Sequence, residues 1–285
     1  MIYPHKQIRE KVLALYEAGG YPKGSSTGWP SLDNFYTVGL GQWTLVTGTP
    51  NSGKSEWLDA LMINLALSEN WKFLIYSVEN WPLELHHAKL IEKYIGKPFS
   101  PGKSERISEA ELNAAEDWIA GQFYFCTPDA PDICAILDEA GQYLKSIGTN
   151  WKTGVVIDPW NQLEHHRPSN MTETDYVGHT LSLVMNRVRE YDMHLWLVAH
   201  PSKLQRGRDG TFPIPTPRDV SGSSNFWNKS DNAITVWRDL TQETTEVQIH
   251  VQKVRWKHIG RIGATYLDYE ISTGRYKDSL KNTNY

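Results

Sequence analysis

The stretch Trp43-Thr-Leu-Val-Thr47 followed by Gly48-Thr-Pro-Asn-Ser-Gly53-Lys54-Ser55 joins a short apolar run to a glycine-rich turn. The second part fits the pattern G-x-x-x-x-G-K-[ST], and the residues after it have the composition of a helix. A strand, a glycine-rich turn and a helix in that order are the context that this phosphate-binding pattern requires. The stretch therefore predicts a P-loop NTPase.

Each position of the turn has a chemical reason. Its glycines let the backbone curl so that N–H groups face phosphates, Lys54 reaches the β- and γ-phosphates, and the Ser55 hydroxyl is a ligand for Mg²⁺. The predicted nucleotide-binding residues of the loop are Gly48, Thr49, Pro50, Asn51, Ser52, Gly53, Lys54 and Ser55.

Strand and helix signals alternate beyond this turn. Predicted strands cover Trp43–Thr47, Phe73–Ser77, Phe123–Cys126, Val155–Asp158 and Leu195–Ala199. Predicted helices cover Ser55–Ser68, Leu83–Ile95, Ser108–Ala120, Ile133–Ile147 and Glu173–Tyr191. Three more predicted strands follow at Ala233–Trp237, Glu246–Trp256 and Ala264–Glu270. The pattern predicts an α/β protein with a mainly parallel central sheet, flanking helices and antiparallel C-terminal edge strands.

Three polar residues close predicted strands. Asp158 ends an apolar strand, as does the carboxylate that holds Mg²⁺ in P-loop enzymes, although many buried strands end in Asp. Glu79 follows the second strand and is a candidate to activate the attacking water; a merely solvated Glu is the alternative. His200 follows the fifth strand as a candidate γ-phosphate sensor or a simple strand-end residue. Because carboxyl ends of parallel strands line one crevice, we expect all three near the P-loop.

Two basic groups follow in the C-terminal half. The loop after His200 carries Lys203, Arg206 and Arg208, which suit contacts with a phosphate backbone; a solvated surface loop is the alternative. Strand alternation predicts Lys253 and Arg255 on one face with Lys257. These residues supply charge to a transition state or protect an edge strand from aggregation.

Composition limits the remaining choices. The net charge of −4 excludes a protein coated in basic surface, so any nucleic-acid site must be local. No apolar run is long enough to span a membrane, and no transit peptide or charged leader is visible, so a cytoplasmic protein is expected. The two cysteines, Cys126 and Cys134, are too few for a Cys-rich zinc site.

The N-terminal segment stands apart from the core. Residues 5–18 have a helical spacing of apolar side chains, and Gly19 and Gly20 end it. We expect residues 1–28 to form a linker helix and loop, and residues 29–285 to form the ATPase domain. The helix docks either on its own domain or on a neighbouring subunit.

Taken together, these motifs resemble the DnaB-like hexameric replicative helicases, in particular the branch of bacteriophage primase-helicases and mitochondrial Twinkle. The resemblance spans nearly the whole chain, including Ser77-Val-Glu79, Val156-Ile-Asp158, Ala199-His-Pro201 and Lys253-Val-Arg255. Neither a primase module nor its zinc-ribbon cysteines are present, so priming would need another polypeptide.

The resemblance implies roles that spacing alone does not show. It implies that Glu79 is the catalytic base, that His200 senses phosphate, and that Lys253 and Arg255 reach a neighbour's nucleotide. It also implies that Arg238 and Tyr269 hold the nucleotide base, while Lys203, Arg206 and Arg208 line a central channel.

The expected function is an ATP- or dTTP-hydrolysing motor that uses Mg²⁺, assembles as a homohexameric ring and translocates on single-stranded DNA. A separate primase and a polymerase are further expected partners. Two rivals remain: a RecA-like recombinase that forms filaments, and a RecA-like ATPase that acts on proteins without nucleic acid.

Overall fold

The computed structural model of the protein describes residues 2–202, 204–207, 210–222 and 224–284. Its helices are α1 (His5–Glu17), α2 (Pro30–Asp33), α3 (Lys54–Glu69), α4 (Leu83–Ile95), α5 (Glu109–Gln122), α6 (Ile133–Ser146), α7 (Glu173–Glu190) and α8 (Asn225–Lys229). Its strands are β1 (Gln42–Thr47), β2 (Trp71–Ser77), β3 (Phe123–Phe125), β4 (Lys152–Asp158), β5 (Met193–Val198), β6 (Asn232–Trp237), β7 (Glu246–Val254), β8 (Gly263–Glu270) and β9 (Arg275–Asp278).

All of these strands lie in one sheet, in the order β3-β2-β4-β5-β1-β6-β7-β8-β9. The six strands from β3 to β6 in that order are parallel, and β7, β8 and β9 are added in antiparallel pairs. The predicted mainly parallel sheet with antiparallel C-terminal strands is confirmed. Strand β1 lies between β5 and β6, so the turn that follows it emerges at the centre of the sheet.

Two hydrophobic clusters cover the two faces of the sheet. One packs α3, α4 and α5 on inward side chains such as Phe73 and Val156, and the other packs α6, α7 and α8 on the alternate ones such as Leu74 and Val155. Alternating burial of neighbouring strand residues on opposite faces is what a sheet covered on both sides requires. The result is a three-layer α/β/α arrangement.

Several local predictions need correction. The strand predicted to continue to Trp256 ends at Val254, so Arg255 and Lys257 do not share a strand face with Lys253. Strand β7 is also internal, between β6 and β8, so protection of a sheet edge does not explain its basic residues. The short helix α8 and the four-residue strand β9 were not predicted.

Helix α1 is different from the other long helices. All of its residues are exposed, including Val12 at 55% and Leu13 at 48%. Docking on its own domain, one of the two alternatives from the sequence, is therefore not what the structure shows. Of the cysteines, Cys126 is buried, and both are free thiols. Within the described residues, no helix is both long and apolar enough to cross a bilayer.

Candidate active site

The P-loop emerges from β1 in a conformation that its sequence permits. Gly48 has φ of 156°, and a Cβ there would lie 2.2 Å from the carbonyl oxygen of Val236, so only glycine fits. Gly53, with φ of 90°, is the left-handed residue from which α3 begins, and Asn51 is also left-handed at 63°. The loop thus ends at the N-terminus of a 16-residue helix, whose free N–H groups favour anions.

Lys54 folds back over the loop that it closes. Its Nζ donates to the carbonyl oxygens of Gly48 and Thr49, both at 3.2 Å, and the residue is 6% exposed. Burial lowers the pKa of Lys54 below its ordinary value, while the nearby Asp158 and Glu79 carboxylates oppose that shift. The ammonium therefore lies where a phosphate chain in the loop would meet it.

Ser55 and Asp158 form the candidate magnesium site. Ser55 Oγ donates to Asp158 Oδ2 at 2.6 Å, and Asp158 is 2% exposed. Its other oxygen, Oδ1, is buried and has no hydrogen-bond partner among the described residues. Burial raises the pKa of Asp158 to about 6, although the Ser55 hydrogen bond opposes this. A hydroxyl and an unsatisfied carboxylate oxygen are hard donors of the kind Mg²⁺ prefers, so the residues fit this ion.

Glu79 and His200 meet beside this pair. His200 Nε2 lies 3.5 Å from Glu79 Oε1, and both side chains are about a third or more exposed. Burial and the Lys54 charge lower the pKa of His200, and Glu79 opposes them. The two residues follow β2 and β5, which lie on either side of β4, at the carboxyl edge of the parallel sheet. The structure thus brings together the four predicted carboxyl-edge residues Lys54, Glu79, Asp158 and His200.

Arg238 and Tyr269, predicted to hold the nucleotide base, also lie at this edge. Arg238 follows β6, and its Nε and Nη2 donate to the Thr244 carbonyl oxygen at 2.9 and 2.5 Å. Tyr269 stacks obliquely on Tyr276 with ring centroids 5.0 Å apart. Burial raises the pKa of Tyr269 to about 12, and the positive charge of Arg238 acts in the opposite direction. Their role toward a base stays a prediction.

Lys253 and Arg255 lie at the opposite, amino edge of the parallel strands. Arg255 Nε is 3.0 Å from Asp231 Oδ1, an ion pair without hydrogen-bond alignment, since Oδ1 has no hydrogen-bond partner among the described residues. Asp231 is 1% exposed and accepts from the backbone N–H of Trp43, near the start of β1. Lys253 Nζ donates to the carbonyl oxygen of Trp227. The structure does not bring Lys253 and Arg255 to their own P-loop.

The predicted DNA-binding loop is described in part. Lys203 and Arg208 lie outside the described residues. The Arg206 guanidinium lies over the Phe212 ring, 4.6 Å from its centroid. The contact shows where one of the three basic residues lies and leaves the predicted role open.

Two polar residues near the site were missed from the sequence. Asn161, just after β4, accepts the His200 backbone N–H through Oδ1 at 3.1 Å. Tyr276, in β9, lies so close to the P-loop that a Cβ on Gly53 would be 3.2 Å from its hydroxyl. Neither has a local signal, because only the folded sheet brings these segments to the loop.

Among curated proteins, the chain is 41% identical over 98% of its length to the chloroplastic/mitochondrial Twinkle homolog protein of Arabidopsis thaliana. It spans 40% of the length of that protein. No protein-family model matches the chain.

Solved structures share its fold. A solved ATPase domain matches with a TM-score of 0.79 and 19% identity, covering 95% of this chain and 98% of that one. A DnaB-like replicative helicase, solved in a study of its interactions with primase, matches with a TM-score of 0.76 and 17% identity, and the match covers 94% of this chain and 67% of that one. RadB recombinase matches with a TM-score of 0.57 and 13% identity, and the match covers 89% of this chain and 99% of that one. The chain is thus similar over most of its length to the Twinkle homolog, and it has the RecA-like fold of DnaB-like helicase ATPase domains.

Proposed function

We propose that this chain is the NTP-hydrolysing motor of a replicative DNA helicase, which forms a ring and translocates on single-stranded DNA to separate duplex strands. The observation that carries the proposal is the division of the charged groups between the two edges of one sheet. The groups that suit phosphate and magnesium lie at the carboxyl edge, and Arg255 lies at the amino edge.

At the carboxyl edge, ATP or dTTP would be held by the P-loop, with Lys54 on the β- and γ-phosphates and Arg238 and Tyr269 at the base. Ser55 and Asp158 would hold Mg²⁺, which neutralises charge on the phosphates. Glu79 would orient and deprotonate the attacking water. His200, in contact with Glu79, would register the γ-phosphate and pass that state to the loop beginning at Pro201.

The position of Arg255 supports a nucleotide site shared by two subunits. The six residues of β1, at about 3.3 Å each, separate the edges by about 20 Å. An arginine side chain does not span that distance, so Arg255 cannot reach the phosphates of its own chain. A head-to-tail contact brings the amino edge of one subunit to the carboxyl edge of the next, and repetition of that contact closes into a ring. We propose a hexamer, with Lys253 beside Arg255 in the shared site.

Single-stranded DNA would lie in the channel of the ring, against Lys203, Arg206 and Arg208. The net charge of −4 agrees with a DNA site confined to one local surface. Because these residues follow His200 in the sequence, we propose that the loop responds to the nucleotide.

The domain division fits the same assembly. We propose that residues 1–28 are a linker, with the exposed apolar side chains of α1 docking on an adjacent subunit, and that residues 29–285 are the motor. We also propose a primase and a polymerase as partners. We place the protein in the cytoplasm of a bacterial or phage-infected cell; an organelle, as for the plant relative, is the alternative.

Hydrolysis measured with and without single-stranded DNA tests the proposal against its rivals. A helicase motor is stimulated by DNA and forms closed rings with nucleotide in electron micrographs. Filaments in place of rings would favour a recombinase, and hydrolysis indifferent to DNA would favour an ATPase that acts on proteins.

The proposed DNA path has its own test. Replacing Lys203, Arg206 and Arg208 together with Ala should reduce the slope of log affinity against log salt by about 0.7 for each lost phosphate contact. Hydrolysis without DNA should survive. An unchanged slope would place the DNA path elsewhere.

A further inference from the structure

Glu79 lies in a solvent-exposed bend, and the next residue, Asn80, is held in place by hydrogen bonds of its own side chain. The bend joins β2 to α4, and Val78 and Trp81 within it are 42% and 66% exposed. Asn80 Nδ2 donates to Ser77 Oγ at 3.3 Å, and Asn80 Oδ1 accepts from Lys89 Nζ at 3.1 Å. One of these contacts is local, and the other ties the bend to the second turn of α4.

Lys89 makes a second contact, to the helix that follows the P-loop. Its Nζ lies 2.6 Å from Oε1 of Glu56, the residue directly after Ser55. The other oxygen of Glu56, Oε2, is 2.6 Å from Nζ of Lys93, which is one turn further along α4 and 2% exposed. Because Lys93 holds one carboxylate oxygen, the other has a defined direction toward Lys89.

We propose that Lys89 is a positioning residue for hydrolysis: it joins Glu56, at the start of the P-loop helix, to Asn80 and so fixes Glu79 relative to the phosphates. This inference rests on the proposed role of Glu79 as the base. A base must lie within hydrogen-bonding reach of the water that it activates. The Val78 N–H, which donates to the Asp158 carbonyl oxygen at 3.3 Å, holds the chain before Glu79, and the contact of Lys89 with Asn80 holds the residue after it. The relay Glu56–Lys89–Asn80 spans the two segments whose separation decides the geometry.

A purely structural role makes a different prediction. Lys93 is buried against Glu56 and already joins α3 to α4, whereas the Lys89 side chain is 39% exposed. Exposed ion pairs contribute little to stability, so Lys89 should matter far more for turnover than for folding.

The test is steady-state hydrolysis by full-length rings of Lys89→Met, which keeps the apolar stem and removes the ammonium. A displaced catalytic group costs up to about 10²-fold, so kcat should fall between about 10- and 100-fold while KM for nucleotide changes little. Lys89→Arg should recover part of the loss. The matched control is Lys97→Met, since Lys97 also makes two carboxylate pairs, to Glu105 and Glu111, without contacting the bend.

A double-mutant comparison separates the relay from other causes. Asn80→Ala leaves the Glu56–Lys89 pair intact and should lower kcat as Lys89→Met does. The double variant should fall no further than the worse single variant. Normal kcat in either single variant, a loss equal to that of Lys97→Met, or multiplied losses in the double variant overturn the relay. If Lys89→Met fails to fold, Asn80→Ala alone decides.

Glu79→Gln distinguishes failure of this inference from failure of the proposed function. If Glu79→Gln hydrolyses at the wild-type rate, Glu79 is not the base and the relay has nothing to position. If Glu79→Gln is inactive while Lys89→Met and Asn80→Ala are normal, the proposed function stands and only the relay is wrong.

Discussion

The charged groups at the two edges of the parallel strands differ in the partners that they have within the chain. At the carboxyl edge, Lys54 faces the carboxylates of Asp158 and Glu79, and one buried oxygen of Asp158 has no hydrogen-bond partner among the described residues. At the amino edge, Arg255 is paired with the buried Asp231 and still a third exposed. The carboxyl edge thus has a carboxylate oxygen that a cation would satisfy, and the amino edge has a partly exposed arginine. The difference agrees with the proposal that the two edges are complementary surfaces of successive subunits.

The largest effect should come from the carboxyl edge. Lys54→Ala removes the fixed positive charge that would contact the β- and γ-phosphates, so hydrolysis should fall to the background rate. Phosphate release measures this, with Lys97→Ala as a surface-lysine control. Near-normal turnover by Lys54→Ala would remove the P-loop from the mechanism.

The next largest effect should come from the amino edge. An arginine finger contributes about 10³ to 10⁵ in rate, so Arg255→Ala rings should be almost inactive although they bind nucleotide. Since Arg255 also neutralises the buried Asp231, thermal melting must show that the variant is folded.

Mixing two inactive variants tests whether the edges meet. When Arg255→Ala and Lys54→Ala subunits exchange within rings, some interfaces pair an intact P-loop with an intact Arg255. Part of the activity should then return. Mixed rings that stay inactive despite proven exchange would confine Arg255 to its own chain or to folding.

A smaller loss should follow from changing the base. General-base catalysis contributes about 10² to 10⁴ in rate, and Glu79→Gln keeps the shape while removing the proton acceptor. Nucleotide binding and ring assembly should persist, as measured by equilibrium binding and electron microscopy. Hydrolysis at the wild-type rate would mean that another group activates the water.

Much of the carboxyl edge was predictable from the sequence, because four of its residues lie at or shortly after the ends of apolar strands. Parallel strands end at one edge, so locating Lys54, Glu79, Asp158 and His200 required only strand assignments. The helix Leu83–Ile95 and the strand that begins at Glu246 also start where they were predicted to start, because the periodicity of their apolar residues is strong.

The amino edge was less predictable, because its geometry depends on where a strand stops. The apolar alternation of β7 gives no sign that the chain turns after Val254 and brings Arg255 to Asp231. At the other end of the strands, near the carboxyl edge, Lys89 and Asn161 were missed for a related reason. Their partners are distant in sequence, and a lysine on a helix or an asparagine in a loop has no local pattern that identifies its contact.

The smallest expected effect is on the pH dependence of stability, to which buried groups at the two edges contribute in opposite directions. His194, near the start of β5, is fully buried, and its Nδ1 donates to the Gly39 carbonyl oxygen at 2.7 Å. Its Nε2 is therefore an acceptor, and it lies 2.9 Å from the Thr44 hydroxyl and 3.2 Å from the Tyr36 hydroxyl, which are themselves hydrogen-bonded to each other. Burial lowers the pKa of His194 to about 4. At the other edge, burial raises the pKa of Asp158 to about 6.

These opposite shifts have opposite consequences for stability. Unfolded histidine binds a proton below about pH 6.5, but buried His194 does not until about pH 4, so its contribution is lost as pH falls between those values. Asp158 binds a proton more tightly in the folded state than in the unfolded state, so its contribution to stability increases as pH falls through the same range. Because the two partly cancel in the wild-type protein, the pH dependence of the whole chain does not isolate either one.

The comparison therefore needs a variant without the titrating group. Between about pH 7 and about pH 4.5, the free energy of unfolding of His194→Gln should fall by about 2 to 3 kcal/mol less than that of the wild type. His194→Gln should also be less stable at neutral pH, since the ring is packed among hydrogen-bond partners. Urea unfolding of the metal-free protein at both pH values measures the difference, with His5→Gln on the exposed α1 as a control that leaves it unchanged. Parallel pH dependences for wild type and His194→Gln would show that the amino edge tolerates a charged imidazole, and that the two edges do not differ in how they treat a buried charge.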